Sequence, residues 1–279
     1  MKIRISVAAP VLSVLIFCLT APTYTVAQEY VPSVGQDGKD VIWVPTPEEL
    51  ITAMLDMAKV TSSDYVIDLG SGDGRIVIAA AKRGARALGV EYNPDMVELS
   101  KRNAQKEGMS GKASFMRGDI FETDFSQATV VTMYLLPDLN LKLRPKILEM
   151  KPGTRVVSHA FTMGDWEADQ TANMDDRTAY FWIVPAKVAG TWTLQTGTGS
   201  GDLLLRQTYQ KIDGSLKIDG KESPLRNAKL EGDHIEFVVG DGNPTQREYS
   251  GRVNGGIIEG TSKVPNAPEV KWTARRLAQ

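Results

Sequence analysis

The chain has 279 residues, 42% hydrophobic and 24% charged, and its net charge of −2 becomes −4 once Lys2 and Arg4 are set aside. This is ordinary globular material, long enough for one large or two modest domains, and its mild acidity excludes nucleic-acid binding driven by charge. The only cysteine, Cys18, stands near the N-terminus, so a chain cleaved beyond it has no disulfide, no thiol nucleophile and no cysteine–metal site.

In chain order, residues 1–27 read first as a secretory signal. Lys2 and Arg4 form a basic n-region, residues 7–19 are apolar apart from Pro10 and Ser13, and Thr25-Val26-Ala27 fits a small-residue cleavage site that leaves Gln28 as the new N-terminus. The apolar run is short for a membrane span, and an uncleaved anchor is the alternative. Both place the body outside the cytosol, periplasmic or anchored facing outward, since the basic side stays in. Residues 28–42 are polar and loop-like. Thr46 then reads as an N-cap, Pro47 as the first helical position and Glu49 as the partner in a capping box, with Leu50, Ile51, Met54, Leu55 and Ala58 as the helix's apolar stripe. Strands near 65–69, 86–90, 113–117, 128–134 and 154–159 alternate with helices near 74–83, 94–107 and 138–150. Residues 178–184 read as an antiparallel edge strand. The alternation predicts a doubly wound, Rossmann-like α/β domain over 28–185. After Pro185 the helical period stops. Asp213-Gly214, Asp219-Gly220, Glu231-Gly232, Asp241-Gly242 and Asn254-Gly255 punctuate short apolar runs near 190–196, 202–210, 215–218, 225–230, 234–239, 247–253, 256–261 and 270–276. They predict a separately folded all-β antiparallel barrel or sandwich over 186–279. Gly190-Thr191-Trp192 with Trp272 is similar to small lipocalin-like modules.

Residues 64–93 carry the chemistry. The strand Val66-Ile67 runs into Asp68, and the turn Gly70-Ser71-Gly72-Asp73-Gly74 opens a helix. A second strand ends on Glu91, followed by Asn93. Glycines let backbone approach a ligand, a helix N-terminus offers free N–H groups to an anion, and an acid closing the second strand can accept both hydroxyls of a ribose. This is a nucleoside-binding βαβ unit. Arg75 stands where a dinucleotide fingerprint needs its third glycine. Asp68 and Asp73 would repel a pyrophosphate yet suit a cationic methionine tail.

The pattern D-x-G-x-G-x-G on Asp68, Gly70, Gly72 and Gly74 resembles the first motif of class I S-adenosylmethionine-dependent methyltransferases. Gly118-Asp119-Ile120-Phe121 follows the third strand, where that family hydrogen-bonds the adenine amino group. The resemblance narrows through Val44-Pro45-Thr46-Pro47, the run from Asp68 to Ala81, Gly89-Val90-Glu91 with Asn93-Pro94, Tyr134-Leu135-Leu136-Pro137 and Arg155-Val156-Val157-Ser158. These match the protein-lysine methyltransferases of the ATP synthase c-subunit and adenine-nucleotide-translocase type and their bacterial relatives. The resemblance implies that Asp68, Gly70, Ser71, Gly72, Asp73 and Gly74 hold the methionine part of the cofactor. It likewise implies that Glu91 holds the ribose and Asp119 the adenine edge, with Asn93 and Ile120 also contacting the cofactor. Tyr134 is the catalytic candidate, lining a channel for an aliphatic amine at the transferring methyl. Leu135 and Leu136 cannot do what the Asn-Pro-Pro-Tyr of amide and adenine methyltransferases does. His159 and His234 read as structural, no metal site is expected, and Trp43, Trp166 and Trp182 read as core or cleft walls. The expected function is methyl transfer from S-adenosylmethionine to a protein lysine, with no nucleic-acid partner and with membrane proximity. A small-molecule or lipid acceptor, or an exported nucleoside-binding protein without catalysis, are the alternatives.

Overall fold

The computed structural model describes residues 30–197, 199–240 and 246–277. The chain divides into two units, Met1–Tyr30 and Val31–Gln279, and both sheets belong to the second. The expected signal and the Asp241-Gly242 turn lie outside the described residues.

The alternating segments settle into one seven-stranded sheet with helices on both faces. Helix α1 (Glu48–Met57) is followed by β1 (Tyr65–Leu69), α2 (Arg75–Lys82), β2 (Arg86–Glu91), α3 (Pro94–Lys106), β3 (Ala113–Arg117), β4 (Val130–Met133), α4 (Pro137–Leu148), β5 (Arg155–His159), β6 (Gln170–Met174) and β7 (Arg177–Ile183). The strand order is β3-β2-β1-β4-β5-β7-β6, with β1 to β5 parallel and β7 antiparallel to β5. Successive side chains leave a strand on opposite faces. Val66, Val130 and Val157 accordingly pack with α1 and α2, while Ile67, Leu69, Val131 and Val156 pack with Leu143 and Ile147 of α4. The order reverses between β1 and β4. In an open α/β sheet that reversal leaves a crevice beyond the carboxyl ends of the strands.

Three local expectations change. Thr46 does not cap α1: the N-cap is Pro47, with no side-chain hydrogen bond, and the Thr46 hydroxyl turns instead to His159. β6 was not expected, since its sequence Gln-Thr-Ala-Asn-Met has no apolar alternation; it exists because β7 offers it an edge. Residues 35–43, read as loop, form a small hairpin in which Asp37 bridges Ile42, Gly35 N–H donates to Trp43 O (2.8 Å) and Trp43 N–H to Gln36 O (2.9 Å).

The rest of the chain forms one nine-stranded antiparallel sheet: β8 (Gly190–Thr196), β9 (Gly199–Thr208), β10 (Lys211–Ile218), β11 (Lys221–Pro224), β12 (Arg226–Glu231), β13 (His234–Val239), β14 (Arg247–Asn254), β15 (Ile257–Lys263) and β16 (Val270–Arg276). β16 returns to pair with β8, and Leu225 N–H donates to Gly214 O, which brings the β11–β12 corner onto β10 and nearly closes a barrel. Its interior is filled by Trp192, Leu194, Leu203, Phe237, Tyr249 and Trp272. The turn expected at Asp213-Gly214 is not there. Gly214 lies inside β10, where a Cβ would fall 1.9 Å from Leu204 O, so the glycine serves a close strand approach. The chain reverses at Tyr209-Gln210 instead, with Tyr209 at φ 54°. Asp219-Gly220 does turn, with φ of 50° and 79°, as a type I′ hairpin requires.

Candidate cofactor and acceptor site

The crevice at the switch point is a cavity of about 880 Å³. The glycine turn after β1, the ends of β2, β3 and β4, the hairpin 35–43 and Phe161 line it. Gly70, Gly72 and Gly74 all have positive φ (79°, 53° and 83°), which only glycine adopts without strain. α3 clamps the turn from behind, Ser100 donating to Gly72 O (2.8 Å) and Asn103 to Asp73 O (2.9 Å).

Glu91 stands at the centre. One carboxylate oxygen accepts Gly72 N–H (2.9 Å) and the other Asn93 N–H (2.9 Å), so the end of β2 is laced to the turn after β1. A carboxylate has about four lone-pair sites, so two remain for a diol. Asp68 is buried and accepts the Thr132 hydroxyl at 2.7 Å. Burial, with Glu91 and Asp73 nearby, pushes its carboxyl up to about 7. Asp119 accepts Phe121 N–H (2.9 Å) and the Lys39 ammonium (2.6 Å), and that ion pair holds its carboxyl below the usual range.

The other expected residues divide. Asp73 lines the cavity, yet its carboxylate is taken by the Arg75 guanidinium, whose Nη1 reaches on to Thr46 O (3.1 Å). The Ser71 hydroxyl is turned onto Gly89 and has no hydrogen-bond partner. Asn93 caps α3, its side chain accepting Asp95 N–H at 2.9 Å, while also lining the cavity beside Ile120. Tyr134 follows β4 and forms a wall with Leu135, Leu136 and Phe161. Its ring lies 3.8 Å from the His159 ring and 6.2 Å from that of Phe161. His159 is buried beneath it, bonded through Nδ1 to Thr46 (3.1 Å), and burial with Arg177 nearby pushes its pKa down to about 4, so the ring is neutral at pH 7. His234 instead sits in the barrel against Ser250 (2.9 Å). Trp166 and Trp182 are core, and Trp43 borders the cavity. Among the described residues no cluster of three or more metal-ligating side chains occurs.

Sequence reading missed Lys39, Trp43's hairpin and Phe161. The Asp37-Gly38 pair was a hairpin signal of the same kind as those in the barrel. Phe161 is brought in by a turn at Ala160 (φ 65°), for which the sequence carries no glycine to announce it.

Comparison with known proteins agrees with this geometry. Over 151 residues the chain is 45% identical to a protein-lysine N-methyltransferase of Saccharolobus islandicus, a match covering 52% of this chain and 94% of that protein. The chain belongs to this family of S-adenosylmethionine-dependent methyltransferases. The profile of the ANTKMT methyltransferase domain matches residues 68–170. The human lysine N-methyltransferase of the ATP synthase c-subunit is 38% identical over 128 residues, covering 46% of this chain and about half, 54%, of that protein. A crystal structure of an RNA methyltransferase from Salinibacter ruber in complex with S-adenosyl-L-homocysteine is 48% identical, with TM-score 0.51 over 52% of this chain and 96% of that one. The methyltransferase thus uses S-adenosylmethionine, and its cavity suits that molecule. The volume is in the range of small-molecule sites, the glycine turn leaves room for backbone contact, and acidic side chains line the cavity.

Proposed function

We propose that this methyltransferase acts on the side-chain amine of a protein lysine. Asp68 and the backbone of Gly70, Gly72 and Gly74 would hold the methionine part of the cofactor, Glu91 the ribose, and Asp119 with Ile120 the adenine edge. The bound cofactor supplies a methyl group on a cationic sulfur, which leaves as a neutral thioether. The observation that carries the lysine reading is the wall Tyr134, Leu135, Leu136 and Phe161, which is aromatic and aliphatic and offers no carboxamide to an amide or base nitrogen. A lysine must lose its proton before its nitrogen can attack, and an apolar channel lowers its pKa. His159 is neutral and held by Thr46 under the Tyr134 ring, so it supports the wall. Holding the amine in line with the methyl supplies most of the rate.

An RNA acceptor fits less well. Residues 28–185 carry 17 Lys and Arg against 23 Asp and Glu, the wrong sign for a phosphate backbone. The test is incubation of the purified protein with tritiated cofactor and membrane fractions. Label on lysine in acid hydrolysates is the expected result; label confined to a lipid extract or to added RNA would overturn the reading.

The proposed address is outside the cytosol, with cleavage after Ala27, and the support is the sequence of the first 27 residues. An alkaline phosphatase fusion at residue 40 should be active, and N-terminal sequencing should begin at Gln28. An inactive fusion would return the enzyme to the cytosol.

A further inference from the structure

The barrel touches the methyltransferase sheet at a place that bears on the acceptor. Residues 161–169 run from the end of β5 to the start of β6, beginning with Phe161 in the cavity wall and ending at Asp169. Within this segment Asn140 of α4 donates to the carbonyls of Phe161 and Thr162 (3.2 Å each), and Arg144 to that of Met163 (2.8 Å). The far half is gripped by the β9–β10 turn of the barrel. Tyr209 stacks on Trp166 with ring centroids 5.9 Å apart at 19°, and the Arg144 guanidinium lies 5.5 Å from the Tyr209 ring. Gln210 donates to Glu167 O (2.8 Å) and to Asp169 (3.0 Å), and Lys211 pairs with Glu167 (2.6 Å). Among the described residues, Tyr209 of the barrel packs onto the methyltransferase core cluster holding Trp166 and Trp182. Trp166 is fully buried, its ring packed against Trp182 in the core (centroids 6.0 Å apart, 49°) and against Tyr209 of the barrel.

We infer that the β9–β10 turn of the barrel, through Tyr209 on Trp166, is a positioning element for the acceptor wall at Phe161. The inference rests on Tyr134 and Phe161 being that wall. Cofactor residues Asp68, Glu91 and Asp119 lie on the other half of the sheet, on or just after β1 to β3, so loosening the grip should reach the acceptor and spare the cofactor.

The test compares the full chain with Tyr209→Ala and Tyr209→Phe, using membrane-fraction protein as acceptor. Tyr209→Ala is expected to raise the apparent acceptor KM roughly tenfold, with cofactor Kd unchanged, and Tyr209→Phe, which keeps the ring, to restore it. Amide exchange should accelerate over residues 161–169 and not over 65–75 in Tyr209→Ala. That second measurement needs no acceptor, so an enzyme inactive on lysine would defeat the lysine reading and leave this one to be judged by exchange. If Tyr209→Ala fails to fold, the double variant Gln210→Ala, Lys211→Ala should show the same pattern more weakly. Unchanged exchange over 161–169, or a cofactor Kd that worsens in step with acceptor KM, would overturn the inference.

Discussion

Asp68 is a carboxyl group in a place that suits no charge unless a cation arrives. The folded chain holds its proton more tightly than the unfolded one, with a pKa near 7 against 3.8. Its contribution to stability is therefore complete below about 4 and is lost as pH rises through about 7. A cationic methionine tail seated beside it would draw the proton off. Cofactor affinity is expected to rise between roughly pH 6 and 8, and Asp68→Asn to flatten that profile. Calorimetry at three pH values checks this, and a flat wild-type profile would move the tail elsewhere. His159 works in the opposite sense. Its folded pKa is depressed from 6.5 to about 4, so its contribution is present above 6.5 and is lost as pH falls through about 4. Glu91→Ala removes an acceptor that also anchors Gly72 and Asn93. It should weaken cofactor binding by about 2 kcal/mol, roughly thirtyfold in Kd. An unchanged Kd would mean the ribose lies off Glu91. These acids were legible in the sequence because each lies at the carboxyl end of a short strand. Lys39 and Phe161 were not, because they reach the cavity from segments with no periodic pattern to place them.

At the level of elements, turns and caps misled where tertiary contacts outbid local preference. Thr46 has the right chemistry and neighbours for a cap, but the buried His159 claims its hydroxyl. Asp213-Gly214 has the right chemistry for a turn, but the register of β9 against β10 needs a side-chain-free position there. The glycine turn after β1 was legible throughout, since its three positive φ values permit little else. The structure changes the reason one of its positions matters. A Cβ on Gly72 would meet the Trp43 indole nitrogen at 2.7 Å, so it is the hairpin, as much as the ligand, that requires glycine. Gly72→Val should abolish cofactor binding while far-ultraviolet circular dichroism stays native, because the hairpin must lift and the backbone strains at φ 53°. Wild-type affinity in that variant would show that Trp43 steps aside freely.

For the molecule as a whole, the change from helix–strand alternation to hairpin punctuation at Pro185 marks where one sheet gives way to the other. The sequence could show that boundary but not the grip of Tyr209 across it, since a tyrosine in a turn has no pattern that names its partner. A chain ending at Pro185 is expected to stay soluble and to keep wild-type cofactor affinity by calorimetry. Precipitation or loss of binding would mean that the two sheets depend on one core.

The pairing of β8 with β16 fixes an order of events during synthesis. β1 to β7 can all pair while the later strands are still unmade, so the cofactor side of the sheet is complete early. The barrel's first strand pairs at once with β9, but its other edge must wait for the last strand, and a closure of such long sequence separation is slow. A ribosome that stalls, or a protease that clips before Val270, would leave a protein able to take up cofactor yet with an open barrel behind the wall that meets the lysine.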